Sequence, residues 1–231
     1  PVGSARIAFI LHLLYNKSVR TNGSCCIFPG WSGKKPKQRL ALLKKRLGEI
    51  PCVDVVIVEY LGISGPFTKL RTKNSIEELA DDAEKNLPYA GGERVIAIGH
   101  SLGAIILRLL IKRGYKFDLC IFAGGPHKGF SPKFLWLYHL AALLGVKPFF
   151  ELAPDSDFLK SLGEAPPGIY IGSQIDEKVP IESAIPKTTK RMIYYLYRCG
   201  HNMFPHKKKN ESASAIPIVV EIVRKYVNNS L

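Results

Sequence analysis

The sequence is short of acidic residues, of paired cysteines and of long apolar runs. Its 19 Asp and Glu stand against 33 Lys and Arg, a net charge of +14 that favours anionic surfaces. No zinc-finger, RNP or basic-zipper pattern accompanies that charge, so nucleic acid is not the expected partner, and peripheral contact with an anionic membrane surface is the better fit. The five cysteines, Cys25, Cys26, Cys52, Cys120 and Cys199, are odd in number, form no C-x-x-C pair and sit mostly in apolar runs. That pattern predicts buried thiols and suits a reducing compartment, a cytoplasmic or membrane-peripheral place, better than secretion. The apolar stretch from Ile7 to Tyr15 is too short to span a bilayer, and no small-residue cleavage site follows it. Secretion stays open, because a leader could precede Pro1. A P-loop, a dinucleotide fingerprint and metal-ligand spacing are all missing, so neither cofactor nor metal is expected.

What is present is an ordinary globular composition, 46% hydrophobic and 23% charged over 231 residues, which predicts one domain spanning residues 1–231. From Ser24 onward, short β-rich runs alternate with amphipathic segments, the pattern of βαβ units and a mostly parallel sheet. The expected strands are Ser24–Phe28, Cys52–Tyr60, Arg94–Gly99, Phe117–Ala123, Gly168–Ser173 and Arg191–Tyr197, with Ala5–Tyr15 either an edge strand or a buried helix. Expected helices cover Pro36–Gly48, Ser75–Leu87 behind a capping box of Asn74 and Glu77, Ser101–Arg113 closed by Gly114, and much of Ala213–Asn228 with Pro217 in its first turn. Between His127 and Pro167 about forty residues break the alternation, too many for a plain connection. They are expected to form a small cap or lid.

The segment Arg94-Val-Ile-Ala-Ile-Gly-His-Ser-Leu-Gly-Ala104 sets G-x-S-x-G between a β-run and a helical run. A serine on such a turn is exposed at a strand's end, and the helix behind it points its positive end at the reacting centre. With this context the sequence resembles the lipase and esterase branch of the α/β-hydrolase superfamily, over roughly Ser24 to Phe204. The resemblance implies an α/β-hydrolase fold, a mostly parallel sheet of about six strands with helices on both faces, and Ser101 as nucleophile. It also implies chain order serine, acid, histidine.

Two downstream segments meet that order. Gly168-Ile-Tyr-Ile-Gly-Ser-Gln-Ile-Asp-Glu-Lys-Val-Pro180 resembles the family's acid loop, with Asp176 the acid and Glu177, Asp155 and Asp157 as substitutes. A carboxylate there would hold the histidine's tautomer and stabilise its charged form. The tyrosine-rich run from Arg191 ends in a loop bearing His201, where the family keeps its general base, with His206 as a substitute. Of the others, His100 lies in the elbow motif, His127 and His139 fall in the expected cap, and His12 precedes the serine.

The resemblance further implies an oxyanion hole made by the backbone N–H of Leu102 and of Trp31. Trp31 lies in Ile27-Phe-Pro-Gly-Trp-Ser-Gly33, which is similar to the family's H-G-x-x-G but has Pro29 in place of histidine. Ala123-Gly-Gly-Pro-His-Lys-Gly129 resembles the G-x-P-H-x-G segment that follows a core strand, just before the cap, in several lipase-like hydrolases. Inside the insertion, Phe134-Leu-Trp-Leu-Tyr-His-Leu-Ala-Ala-Leu-Leu144 is apolar on nearly every side, so Phe134, Leu135, Trp136 and Leu140 are candidates for a lid against an acyl chain or for plain core. Lys34, Lys35, Lys37 and Arg39, with Lys207 to Lys209, are candidates for a basic rim or a solvated face.

The expected function is carboxylic-ester hydrolysis through an acyl-serine, by a lipase or esterase acting on lipid-like esters. An acyltransferase or thioesterase with the same residues, or a basic lipid-binding protein on a hydrolase scaffold, are the alternatives.

Overall fold

The computed structural model describes residues 23–31, 38, 40–60, 74–88, 94–134, 145–186, 191–196, 199–205 and 210–228, with residues 134 and 191–196 described by backbone alone. In chain order these form β1 (Gly23–Phe28), α1 (Ala41–Gly48), β2 (Val53–Ile57), α2 (Ile76–Lys85), β3 (Arg94–His100), α3 (Leu102–Lys112) and β4 (Leu119–Ala123). A 3-10 turn (Pro132–Phe134), α4 (Lys147–Glu151), α5 (Asp157–Ser161), β5 (Gly168–Ser173), α6 (Ile181–Ala184), β6 (Arg191–Leu196) and α7 (Ile216–Asn228) follow.

The strands pair in parallel as one six-stranded sheet in the order β2-β1-β3-β4-β5-β6. Because successive side chains point to opposite faces, β1, β3, β4 and β5 each feed two cores. Cys26, Phe28, Ala97, Phe122 and Tyr170 pack beneath α2 and α3, while Cys25, Ile27, Ile98, Ile121 and Ile171 pack beneath α1 and α7. Burial on both faces explains why these strands read as continuous apolar runs. Phe122 stacks on Tyr170 with ring centroids 4.7 Å apart, and the Tyr170 hydroxyl donates to the Pro166 carbonyl at 2.7 Å.

Chain order reverses between β1 and β3, which places a crevice at their carboxyl ends. Pro29–Trp31 leaves β1 there and Ser101 leaves β3 there.

Several boundaries differ from the sequence reading. The capping box is Ser75 with Glu78, not Asn74 with Glu77: Ser75 Oγ accepts from the Glu78 N–H at 3.1 Å and the Glu78 carboxylate accepts from the Ser75 N–H at 2.6 Å. One residue later is the register that turns Ile76, Leu79, Ala80 and Ala83 inward together. The strand expected from Phe117 starts at Leu119, because Asp118 closes a local turn against Val95, its N–H donating to the Val95 carbonyl and its carboxylate accepting the Val95 N–H. Ser101 caps α3 rather than joining it, and β2 ends at Ile57 rather than at Tyr60. The expected element Ala5–Tyr15 and the proposed helix start at Pro36 lie outside the described residues.

Between β4 and β5 the described part of the insertion is tied to α3 by Arg108. This buried guanidinium donates to the carbonyls of His127, at 3.3 Å, and of Gly163. A cation in so apolar a helix is tolerable because carbonyl oxygens replace its water.

Phe122→Ala is expected to lower the unfolding free energy by about 3–5 kcal/mol through loss of buried area and the cavity left behind. A fall in the urea midpoint with unchanged denaturant slope measures it.

Candidate active site

The glycines of G-x-S-x-G are required by close approach. A Cβ on Gly99 would lie 2.6 Å from the Ala104 Cα, and one on Gly103 would fall on the Phe28 carbonyl. Ser101 itself has φ 53° and ψ −122°, a region that L-residues avoid and that costs roughly 1–3 kcal/mol. The turn is held by the Ser101 N–H, which donates to the Ala123 carbonyl at 3.0 Å. Strain of this kind turns Oγ out of the sheet and towards the loops beyond β5 and β6.

Those loops carry the other two residues. The Ser101 hydroxyl lies 2.8 Å from His201 Nε2, and His201 Nδ1 lies 2.8 Å from Asp176 Oδ2. A carboxylate can only accept, so Nδ1 carries the proton and Nε2 is left as acceptor for the serine hydroxyl. The Asp176 side chain is wholly buried. Its second oxygen accepts from the backbone N–H groups of Lys178, at 2.9 Å, and Val179, at 3.1 Å, which offsets the loss of water. The substitutes Glu177, Asp155 and Asp157 are all exposed, and His206, His139 and His12 lie outside the described residues.

Around this chain of hydrogen bonds sit residues that sequence reasoning missed. His100, 3% exposed, donates from Nε2 to the His201 carbonyl at 3.0 Å, and the Met203 N–H donates to the same oxygen at 3.0 Å. Ser173, at the end of β5, donates its hydroxyl to the Cys199 carbonyl. Ser183 Oγ donates to the Gly129 carbonyl at 2.6 Å and accepts the Lys128 N–H at 3.0 Å, fastening the G-x-P-H-x-G segment to α6. The buried His127 side chain packs edge-on to Phe122 and Tyr170, away from the serine's partners. A serine at a strand end is a weak signal for such a tie, since its partner is a backbone atom with no sequence signature.

Leu102 follows Ser101 directly, and the loop of Trp31 approaches it. Leu102 is the first residue of α3, so its N–H has no acceptor within the helix. A Cβ on Gly30 would lie 2.7 Å from Ser101 Cβ, which brings the loop of Trp31 hard against the elbow. The Trp31 ring packs 5.3 Å from that of Phe149 in α4, and Phe149 lies 6.3 Å from Phe130. Of the lid candidates, Leu135, Trp136 and Leu140 are outside the described residues, as are Lys34, Lys35, Lys37, Arg39 and Lys207 to Lys209; Phe134 ends the 3-10 turn. Among the described residues no group of three His, Cys, Asp or Glu side chains could hold a metal ion, and no helix is long and apolar enough to cross a membrane.

No protein-family model matches the sequence, and no curated protein matches it at the sequence level. Solved structures do. Paleococcus ferrophilus monoacylglycerol lipase is similar with a TM-score of 0.63 at 16% identity, over 91% of this chain and 97% of that one. An esterase from Exiguobacterium antarcticum gives 0.60 at 13%, over 91% and 93%. The chain has the α/β-hydrolase fold. Aspergillus fumigatus lipase B, with a TM-score of 0.58 at 15% identity, aligns with 79% of this chain, which spans 46% of its length. The serine, histidine and aspartate contacts described above lie at the carboxyl ends of this chain's parallel strands.

No thiol takes part in the Ser101–His201–Asp176 contacts, although Cys199 lies near Asp176. All five cysteines are unpaired; four are buried and Cys52 is exposed. Burial pushes the Cys26 and Cys120 thiols up to about 12, and burial with the nearby Asp176 charge pushes Cys199 up to about 11. Cys25 moves in the same direction for the same cause. Thiolate is the reactive form. At pH 8, iodoacetamide is therefore expected to modify the native protein at Cys52 alone and to reach all five cysteines only after unfolding, as read by peptide mass.

Proposed function

We propose that the protein is a serine carboxylic-ester hydrolase, of lipase or esterase type, that works through an acyl-Ser101 intermediate. The observation that carries this reading is the pair of 2.8 Å contacts running from the Ser101 hydroxyl through His201 to Asp176. In it, Ser101 Oγ attacks the ester carbonyl carbon while His201 Nε2 takes the hydroxyl proton. The carbonyl electron pair moves to oxygen, where the N–H groups of Trp31 and Leu102 receive it. Collapse expels the alcohol, which takes the proton from His201. Water then attacks the acyl-serine with the same histidine as base. Asp176 holds the imidazole tautomer and stabilises the imidazolium without itself taking a proton.

The substrate proposed is a lipid-like ester. Support comes from the aromatic contact of Trp31, Phe149 and Phe130, which starts from the loop that approaches Ser101, from the apolar stretch Phe134 to Leu144, and from the net charge of +14, which suits a partner with an anionic surface. Residues 127–167 are read as the cap over that substrate, within a single domain. Lipase and esterase names among the structural neighbours agree with the class of reaction.

A fluorophosphonate is expected to label Ser101, and Ser101→Ala to lose both labelling and release of p-nitrophenol from acyl esters; turnover persisting in that variant contradicts the reading. Asp176→Asn is expected to keep the fold but lose about 10⁴-fold in kcat, because the histidine is then held in the wrong tautomer. Across p-nitrophenyl esters of increasing chain length, activity is expected to peak at longer chains and to rise with anionic vesicles. A preference for short soluble esters, indifferent to vesicles, contradicts the lipid-like substrate.

A further inference from the structure

We propose that the buried hydroxyl of Tyr60 is the positioning group for the oxyanion loop, fixing the backbone that leads to the Trp31 N–H. The inference rests on the acyl-serine reading above and adds to it a residue that touches no substrate.

The loop Pro29-Gly30-Trp31 leaves β1 at its carboxyl end and carries the proposed donor. Pro29 has no N–H to donate, so its carbonyl is the polar backbone group it offers for anchoring, and Gly30 has no side chain to narrow its backbone torsions. An oxyanion donor must nevertheless be held before the reaction begins, since its value lies in needing no reorganisation when charge develops. Something outside the loop has to supply that order.

The structure places backbone on one side of the loop and Tyr60 on another. Against α3, a Cβ on Gly103 would fall on the Phe28 carbonyl and lie 2.8 Å from the Pro29 oxygen, so the helix bearing the nucleophile is pressed directly against this strand end. Tyr60, 4% exposed, donates its hydroxyl to that same Pro29 oxygen. One residue further on, a Cβ on Gly30 would lie 2.7 Å from Ser101 Cβ and 2.8 Å from the His100 carbonyl. The Pro29 carbonyl thus meets α3 and the tyrosine together, and Gly30 meets the elbow. A single glycine separates the anchored carbonyl from the donor N–H.

Tyr60 is itself well held. It follows β2 in an extended segment whose Val58 N–H donates to the Ile27 carbonyl at 2.9 Å, and whose Glu59 carbonyl accepts from Asn86 Nδ2 at 2.9 Å. Its ring lies in the core beneath α2 and α3. Removing the hydroxyl while keeping the ring releases the Pro29 carbonyl without opening a cavity. The loop can then drift by a fraction of an ångström relative to Ser101, which weakens contacts to the developing oxyanion more than contacts to the ground-state ester.

Tyr60→Phe tests this, with far-UV circular dichroism and thermal melting to establish that the variant is folded. The expected result is a roughly tenfold fall in kcat on p-nitrophenyl butyrate with KM changed by less than about twofold. Affinity for an alkyl trifluoromethyl ketone should fall by a similar factor. Ser101 Oγ adds to the carbonyl carbon of that ketone, its proton passes to His201, and the oxygen becomes the anion the loop must hold. Unchanged kcat and ketone affinity, or a rise in KM alone, overturns the inference while leaving the esterase reading intact. A wild-type protein that neither turns over ester nor takes up fluorophosphonate contradicts that reading instead. The role of Tyr60 is then read from amide exchange at Gly30 and Trp31: faster exchange in Tyr60→Phe supports the tether, and unchanged exchange overturns it.

Discussion

The hydrogen bond between Ser101 and His201 has to cross the sheet. The two residues leave β3 and β6, which are separated by β4 and β5, so their strand axes lie about 14 Å apart at ordinary inter-strand spacing. A contact of 2.8 Å requires both chain ends to lean inward. Ser101 does so through a backbone conformation that a residue with a side chain rarely adopts, and the residue 199–205 loop does so by folding back over the end of β5. Much of what surrounds the site consists of restraints on that inward lean. The Ser173 hydroxyl takes the Cys199 carbonyl, while the His100 ring and the Met203 N–H both take the His201 carbonyl. The histidine is therefore gripped by its backbone on one side and by Asp176 on the other.

Asp176 shows how the fold reconciles a buried charge with a use for it. Its side chain is removed from water, and three N–H groups replace that water: two from the backbone of its own loop and one from the imidazole. An aspartate satisfied entirely by backbone would have no reason to orient His201, and one left half-satisfied would cost several kcal/mol. Dividing its two oxygens between loop and histidine lets one carboxylate close the acid loop and align the base. The same economy appears in α3, where close-packed glycine brings the helix onto the loop that leaves β1 and a buried arginine ties its far side to both flanks of the insertion.

The fold was legible in the sequence because its central strands, β1, β3, β4 and β5, are buried on both faces and announce themselves as apolar runs punctuated by Gly, Pro and Asp. Gly168–Ser173 coincides with β5 at both ends. The elbow was legible because its geometry demands glycine at two positions, and glycine demanded by close approach is written into the chain. Asp176 and His201 were legible only with the chain order that the resemblance supplies; nothing local distinguishes Asp176 from Glu177, and burial separates them. Contacts to carbonyl oxygen were not legible at all. Tyr60 and Ser173 act on backbone atoms, which every residue possesses, so no pattern of side chains marks the partner. The capping box slipped by one residue for a related reason: Asn74 and Ser75 both suit the cap, and the choice belongs to the packing of Ile76, Leu79 and Ala83 below.

The central claim is that carbon–oxygen bond formation occurs at Ser101 Oγ. It is tested most directly by mixing the protein with p-nitrophenyl butyrate for milliseconds to seconds, quenching in acid and determining peptide masses. The account predicts one butyryl group on the peptide that carries Ser101, with its fragment ions assigning the group to that serine, formed as the first equivalent of p-nitrophenol appears and lost on longer incubation before quenching. Ester turnover with no acyl group on that peptide, or with the group on Cys52 or a lysine, would contradict it.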